Sequence, residues 1–182
     1  KGIELRVHPT LMPSRRLIAN VEGVMNAVVV KGDAVGPTLY YGPGAGAEPT
    51  ASAVIADLID VTRMHTADPK QRVPHLGVQP HSLLDIRILP IEEVETSYYL
   101  RLQALDRPGV LASITCILAE FEISIDAMVQ KEPKKDVEQV DIIVLTHLSI
   151  EKNINAAIAK IEELTSVMGK ITRIRLEELS SK

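Results

Sequence analysis

Residues 100–130 read LRLQALDRPGVLASITCILAEFEISIDAMVQ, and the spacing of apolar residues changes twice along this stretch. Leu100, Leu102 and Ala104 alternate with Arg101, Gln103 and Leu105, the two-residue repeat of a half-buried strand. Asp106-Arg107-Pro108-Gly109 ends that strand. Val110, Leu111, Ile114, Ile117, Leu118 and Phe121 then recur at three- and four-residue steps, which puts them on one stripe of a helix of roughly four turns. Asp106 can cap the start of this helix, and Pro108 suits its first turn. From Ile123 through Ile125, Ala127 and Val129 the repeat returns to two, so a second strand follows.

Downstream the design repeats. A charged turn at 131–136 leads into the β-branched run 140–145. Ile154, Ile158, Ile161, Leu164 and Met168 mark a second helix, which Gly169 would close. Thr172, Ile174 and Leu176 alternate with Ile171, Arg173 and Arg175 in a last strand. The predicted order is strand, helix, strand, strand, helix, strand: two split βαβ units that give a four-stranded sheet with both helices on one face.

Residues 98–178 closely resemble the ACT domain, an amino-acid-binding regulatory module, through Asp106-Arg107-Pro108-Gly109-Val110-Leu111 and Ile123-Ser124-Ile125-Asp126. The resemblance implies a ligand where two copies meet. It would be held by Asp106, Gly109, Val110 and Leu111 of one chain and by Ser124, Ile125 and Asp126 of the same chain or its partner. An amino acid needs acceptors for its ammonium and donors for its carboxylate; Asp106 or Asp126 beside a helix amino terminus offers both. For Asp106 the alternative is a pure helix cap. Many ACT domains carry Asn near the start of the second strand, where Ser124 and Asp126 stand here, which leaves the effector's identity open.

In the first third, 2–9 alternates like a strand and stops at Pro9. The Val-rich run 25–31 and the run 36–41, separated by Gly32-Asp33-Ala34, make a hairpin. Then Gly42-Pro43-Gly44-Ala45-Gly46-Ala47-Glu48-Pro49-Thr50 runs into Ala51, Val54, Ile55, Leu58, Ile59 and Thr62, a helix with Pro49 near its start. Such a turn either meets a need for positive φ or brings backbone N–H groups close to a ligand. It is no Walker loop, and its glycines miss the GxGxxG spacing of dinucleotide sites.

Taken whole, 2–62 resembles the end of the catalytic domain of homoserine dehydrogenase, through RVHPTLMP, NAVVVKGDAVGPTLYYGPGAGAEPTASAV and IADLID, and in longer bacterial members an ACT domain follows. The fold expected is α+β: a partial mixed α/β catalytic segment (1–64), a linker (65–97) with a strand-like piece at 84–89 as a possible edge strand, and a ferredoxin-like βαββαβ ACT domain (98–178). The family reduces aspartate semialdehyde to homoserine with NADP or NAD cofactors, on the route to threonine and methionine. Its glycine turn approaches the nicotinamide, which points to Gly46 first, with Gly44 and Thr50 as neighbours. The family's GxGxxG loop and catalytic-lysine signature do not occur in these residues. The chain, starting at Lys1 without Met, is therefore expected to be a piece of a longer enzyme, inactive alone and without catalytic residues. The effector implied is threonine, and the partner a second copy in a homo-dimer or higher oligomer. The rival reading is a non-enzymatic amino-acid-binding module that dimerises through its first third.

Bulk properties narrow the field. The net charge is −4, with no basic patch, no Trp and a single Phe, which speaks against a nucleic-acid partner. Cys116 is the only cysteine, so an intramolecular disulfide is impossible. No apolar run is long enough for a membrane span, and a cytoplasmic location is expected. His8, His65, His75, His81 and His147 show no ligand spacing, so no metal site is expected.

Overall fold

The computed structural model describes residues 2–65, 68, 77–131 and 138–178. By contact the chain forms two compact units, residues 1–13 with 86–182 and residues 14–85.

The first unit is built on a mostly antiparallel sheet. Its strands are β1 (Thr10–Leu11), β4 (Glu95–Leu105), β5 (Ile125–Gln130), β6 (Gln139–Thr146), the short β7 (Ser149–Ile150) and β8 (Val167–Leu176). They lie in the order β1-β8-β4-β6-β5, with β7 on β4. Helix α2 (Val110–Glu120) follows β4, and α3 (Glu151–Glu162) precedes β8. Leu100, Leu102 and Ala104 of β4 are buried, as the alternation predicts, and with Tyr98 they form one core with Val110, Ile114, Ile117 and Leu118 of α2 and Ile154, Ala157 and Ile161 of α3. The order βαββαβ holds, and the α+β fold with it. The strand begins at Glu95, within the stretch expected to be linker.

Two sequence expectations change here. The second helix stops at Glu162, and Gly169 sits inside β8 with φ +67°. Arg101 pairs with Thr172 but Gln103 with Met168, so β8 bulges between those pairs. The glycine relieves a bulge instead of closing a helix. The Glu162 carboxylate accepts from the Lys170 ammonium (2.6 Å) and from the Ile171 N–H (2.9 Å), and these two donors lower it from its ordinary value. The charged turn expected at 131–136 lies almost wholly outside the described residues.

The amino-terminal segment also differs. Residues 3–8 form no strand; only Ile3 bridges, to Ile88, and 84–89 is not an edge strand. Instead Thr10 and Leu11 pair in parallel with Arg175 and Leu176 and add β1 to the sheet.

Beneath β8 lies a buried charge cluster. Glu151, the first residue of α3, is 2% exposed. It accepts the Tyr98 hydroxyl (2.5 Å) and both donors of Arg175 (3.1 and 2.7 Å), with Arg173 at 3.0 Å. Burial works against its charge, but the Tyr98 hydroxyl and the two guanidinium groups outweigh it and hold the carboxyl below its ordinary value. Burial, then the same carboxylate, drives the Tyr98 phenol well up.

The second unit holds the antiparallel hairpin β2 (Met25–Gly32) and β3 (Gly36–Pro43) and helix α1 (Ala47–His65), as the run lengths and the glycine turn predict. None of its described residues is buried, although Val54, Ile55, Leu58 and Ile59 line α1.

Candidate functional site

The strand-to-helix turn of the first unit walls a cleft of about 310 Å³, lined by residues that include Asp106, Gly109, Val110, Leu111, Gln130 and Val140. Gly109 precedes α2 with φ +91°, and no side chain caps that helix. A Cβ placed on Gly109 would meet nothing within 4 Å, so the glycine is required by its backbone angle and not by crowding. Pro108 lies ahead of the helix and not in its first turn.

Asp106 is not the helix cap. Its Oδ1 accepts the Gln130 side-chain amide at 3.0 Å, while its N–H donates to the Glu138 carbonyl at 2.8 Å. Arg107 pairs with Glu138 at 3.1 Å, both exposed, which adds little to stability. The result is a carboxylate held a short way from an uncapped helix amino terminus, whose first N–H groups have no intrahelical acceptor. One pole suits a cation and the other an anion. Gln130 completes this arrangement and was not legible as a site residue. It is the last residue of a strand, and only the pairing of β5 with β6 brings it to the turn after β4.

Ser124, Ile125 and Asp126 do not join that cleft within one chain. Ile125 pairs with Thr146 and Gln130 with Ile142, so Asp126 and Gln130 sit toward opposite ends of β5, about 13 Å apart at 3.3 Å per residue. Asp126 instead lies 3.9 Å from His147, both exposed.

In the second unit the glycine turn has its own geometry. Gly46 takes φ +128°, and its carbonyl accepts the Thr50 N–H at 3.2 Å. The Gly44 N–H donates to the Val24 carbonyl at 3.3 Å, and a Cβ on Gly44 would collide with the Asn26 side chain. Both glycines thus have local backbone reasons, independent of any ligand. Glu48 stands in the first turn of α1, where the helix dipole favours it. Among the described residues no group of His, Cys, Asp and Glu has the arrangement of a metal site, and no helix is long and apolar enough to cross a membrane.

The sheet order, the two helices on one face and the cleft at the first strand-to-helix turn define an α+β chain that carries an ACT domain. Family models agree: homoserine dehydrogenase matches residues 1–59 and the ACT domain residues 98–165. Over 98% of its length the chain is 60% identical to homoserine dehydrogenase from Pseudomonas aeruginosa, and over 99% it is 56% identical to that of Methylobacillus glycogenes. It covers 41% and 42% of those proteins. A crystal structure of homoserine dehydrogenase from Thiobacillus denitrificans superposes with a TM-score of 0.89 at 72% identity, across 98% of this chain and 40% of that one. The Staphylococcus aureus enzyme, 22% identical with a TM-score of 0.51, shares the fold. The chain corresponds to the carboxy-terminal region of homoserine dehydrogenase, its ACT domain included. It spans about two fifths of the length of these relatives.

Proposed function

We propose that this chain is the carboxy-terminal part of an enzyme that interconverts aspartate semialdehyde and homoserine with NADP or NAD, and that its ACT domain senses threonine. In this reading residues 1–64 end the catalytic region, 65–97 connect, and 98–178 sense. The observation that carries the sensor role is the cleft at Asp106–Leu111. Asp106 takes the ammonium of an amino acid, and the N–H groups at the start of α2 take its carboxylate. Asp106 keeps lone pairs for a ligand while Gln130 holds it, since an ionised carboxylate accepts several hydrogen bonds.

A second copy completes the site. Among the described residues strand β5 is the outermost strand on its side of the sheet, last in the order β1-β8-β4-β6-β5. Pairing two such edges antiparallel about a twofold axis lays residues 124–126 of one copy toward the Gln130 end of the other. Ser124, Ile125 and Asp126 then reach the cleft from across the interface. The test is titration calorimetry with threonine, isoleucine, methionine and lysine. Threonine is expected to give heat and a concentration-dependent rise in Tm; silence with all of them would remove the sensor role and leave a domain that only dimerises.

For the catalytic part the glycine turn, with Gly46 foremost and Gly44 and Thr50 beside it, is the element placed at the nicotinamide. Its contribution is position and polarity, with no proton transfer. Because these residues contain no GxGxxG loop and no catalytic-lysine signature, the isolated chain should oxidise no homoserine with either cofactor. Turnover above a buffer blank would contradict this.

A further inference from the structure

We propose that residues 2–11 act as a strap through which the ACT sheet controls the region of the glycine turn, an inference that rests on the sensor role proposed above. The residues matched by the homoserine dehydrogenase family model include this segment, yet its hydrogen bonds go to the ACT unit. At one end the Ile3 N–H donates to the Arg87 carbonyl and the Leu89 N–H to the Ile3 carbonyl, both at 2.9 Å. At the other, Thr10 and Leu11 pair with Arg175 and Leu176, the Thr10 hydroxyl donates to the Arg175 carbonyl (3.0 Å) and the Glu177 N–H to the Leu11 carbonyl (3.0 Å). Arg6 adds an ion pair to Glu177 at 3.3 Å. The strap is tied where the chain enters the ACT domain and where it leaves.

Arg175 is the junction. Its carbonyl holds the strap, its side chain grips Glu151 beneath the sheet, and it pairs with Tyr98 of β4. Strand β4 ends at Leu105, on the wall of the cleft. A shift of β4 against β8 on filling the cleft therefore moves the strap's anchor. The docking itself is slight: a two-residue parallel pairing at a sheet edge, with one isolated bridge, belongs to the low-stability end of a structure. A modest coupling free energy is enough to bias it. Past Pro13 the same chain continues directly into residues 14–85, which carry the hairpin and the glycine turn.

The test uses the full-length enzyme with two variants, Arg6→Gln/Thr10→Val, which keeps strand propensity, and Leu11→Pro, which cannot donate to a ladder. Exchange of the Glu177 amide reports docking, calorimetry reports threonine binding, and turnover against threonine concentration reports coupling. Both variants should exchange faster at Glu177 and retain the uninhibited turnover and threonine affinity of the parent. The factor by which saturating threonine lowers their turnover should fall by about tenfold or more, or to one where the parent's factor is smaller than that. Unchanged inhibition with a deprotected Glu177 amide overturns the strap while leaving the sensor intact. An unchanged Glu177 amide in Leu11→Pro overturns it too, because the segment would not be held as a strand. A parent enzyme that neither binds nor responds to threonine sinks the sensor role, and the strap falls with it.

Discussion

Glu151 opens a helix with its carboxylate almost out of water, and it is tolerable there because Tyr98 and Arg175 donate to it, Arg173 forms an ion pair with it and the helix amino terminus favours a negative charge. Removing one member leaves the others short of a partner. Glu151→Gln should cost about 3 kcal/mol, discounted from the fully buried case because both guanidiniums keep some contact with water, and Tyr98→Phe about 1–2 kcal/mol. Urea unfolding checks both. The carboxyl is held below its ordinary value of 4.5 in the fold, so its contribution is complete above that value and is lost as pH falls through the lower folded one. The gap in urea midpoint between the parent and Glu151→Gln should therefore shrink between pH 6 and pH 3. A gap that stays constant would mean that the charge of Glu151 carries no stability. At the cleft, Asp106→Ala should weaken threonine binding by about 1–3 kcal/mol, and Asp126→Ala by a similar amount if a second copy brings that residue to the ligand. Gly109→Val should lose stability as well as affinity, about 1–3 kcal/mol, because φ +91° is strained for any branched side chain.

At the scale of elements, the bulge in β8 is the feature with the clearest consequence. Gly169 supplies the positive φ, and Glu162 supplies the acceptor that the interrupted ladder withholds from Ile171. Gly169→Val should destabilise the unit by about 1–3 kcal/mol although a Cβ there meets nothing within 4 Å, since the cost is conformational and not steric crowding. Glu162→Gln should cost less, because the amide oxygen still accepts the Ile171 N–H. Equal costs for the two variants, read by thermal unfolding, would show that charge and not backbone geometry dominates at this bulge. The glycine turn before α1 behaves alike: with Gly46 at φ +128°, Gly46→Val strains the chain before it meets any cofactor. In the full-length enzyme a raised cofactor KM from this change carries weight only beside an unaltered Tm.

Across the whole molecule, burial is divided unequally. Every buried residue among those described lies in the unit that contains 86–182, while α1 and the hairpin expose Val28, Val30, Val54, Ile55, Leu58 and Ile59. A two-stranded hairpin and one helix without a packed core are marginal in water. In the isolated chain, amides of β2, β3 and α1 should exchange within the first time points, while those of β4, β6 and α2 are protected to the level of global unfolding. Comparable protection in both units would show that the apolar face of α1 is covered, by a second copy if protection rises with protein concentration. Core truncation should respect the same division: Ile114→Ala is expected to cost about 2–5 kcal/mol, and Ile55→Ala almost nothing in this chain.

The order βαββαβ, the hairpin and the glycine turn into α1 follow from the sequence alone, because each is written in local terms: a period of two or of three to four, and breakers such as Asp106-Arg107-Pro108-Gly109 between them. The turn at 106–109 was legible for the same reason, whereas its reading as a ligand site came only from the resemblance to the ACT domain. Pairing register and burial are not local, and they decided the rest. Only the pairing of β5 with β6 brings Gln130 to Asp106 and carries Asp126 away from it. Only the register of β4 against β8 turns Gly169 from a helix stop into a bulge. Thr10 and Leu11, too short to show any period, became a strand because the β8 edge had backbone groups to satisfy. The burial of Glu151 has no local signal either: packing sets Tyr98, Arg173 and Arg175 around it, since a buried charge is made acceptable only by partners that lie far away in the chain.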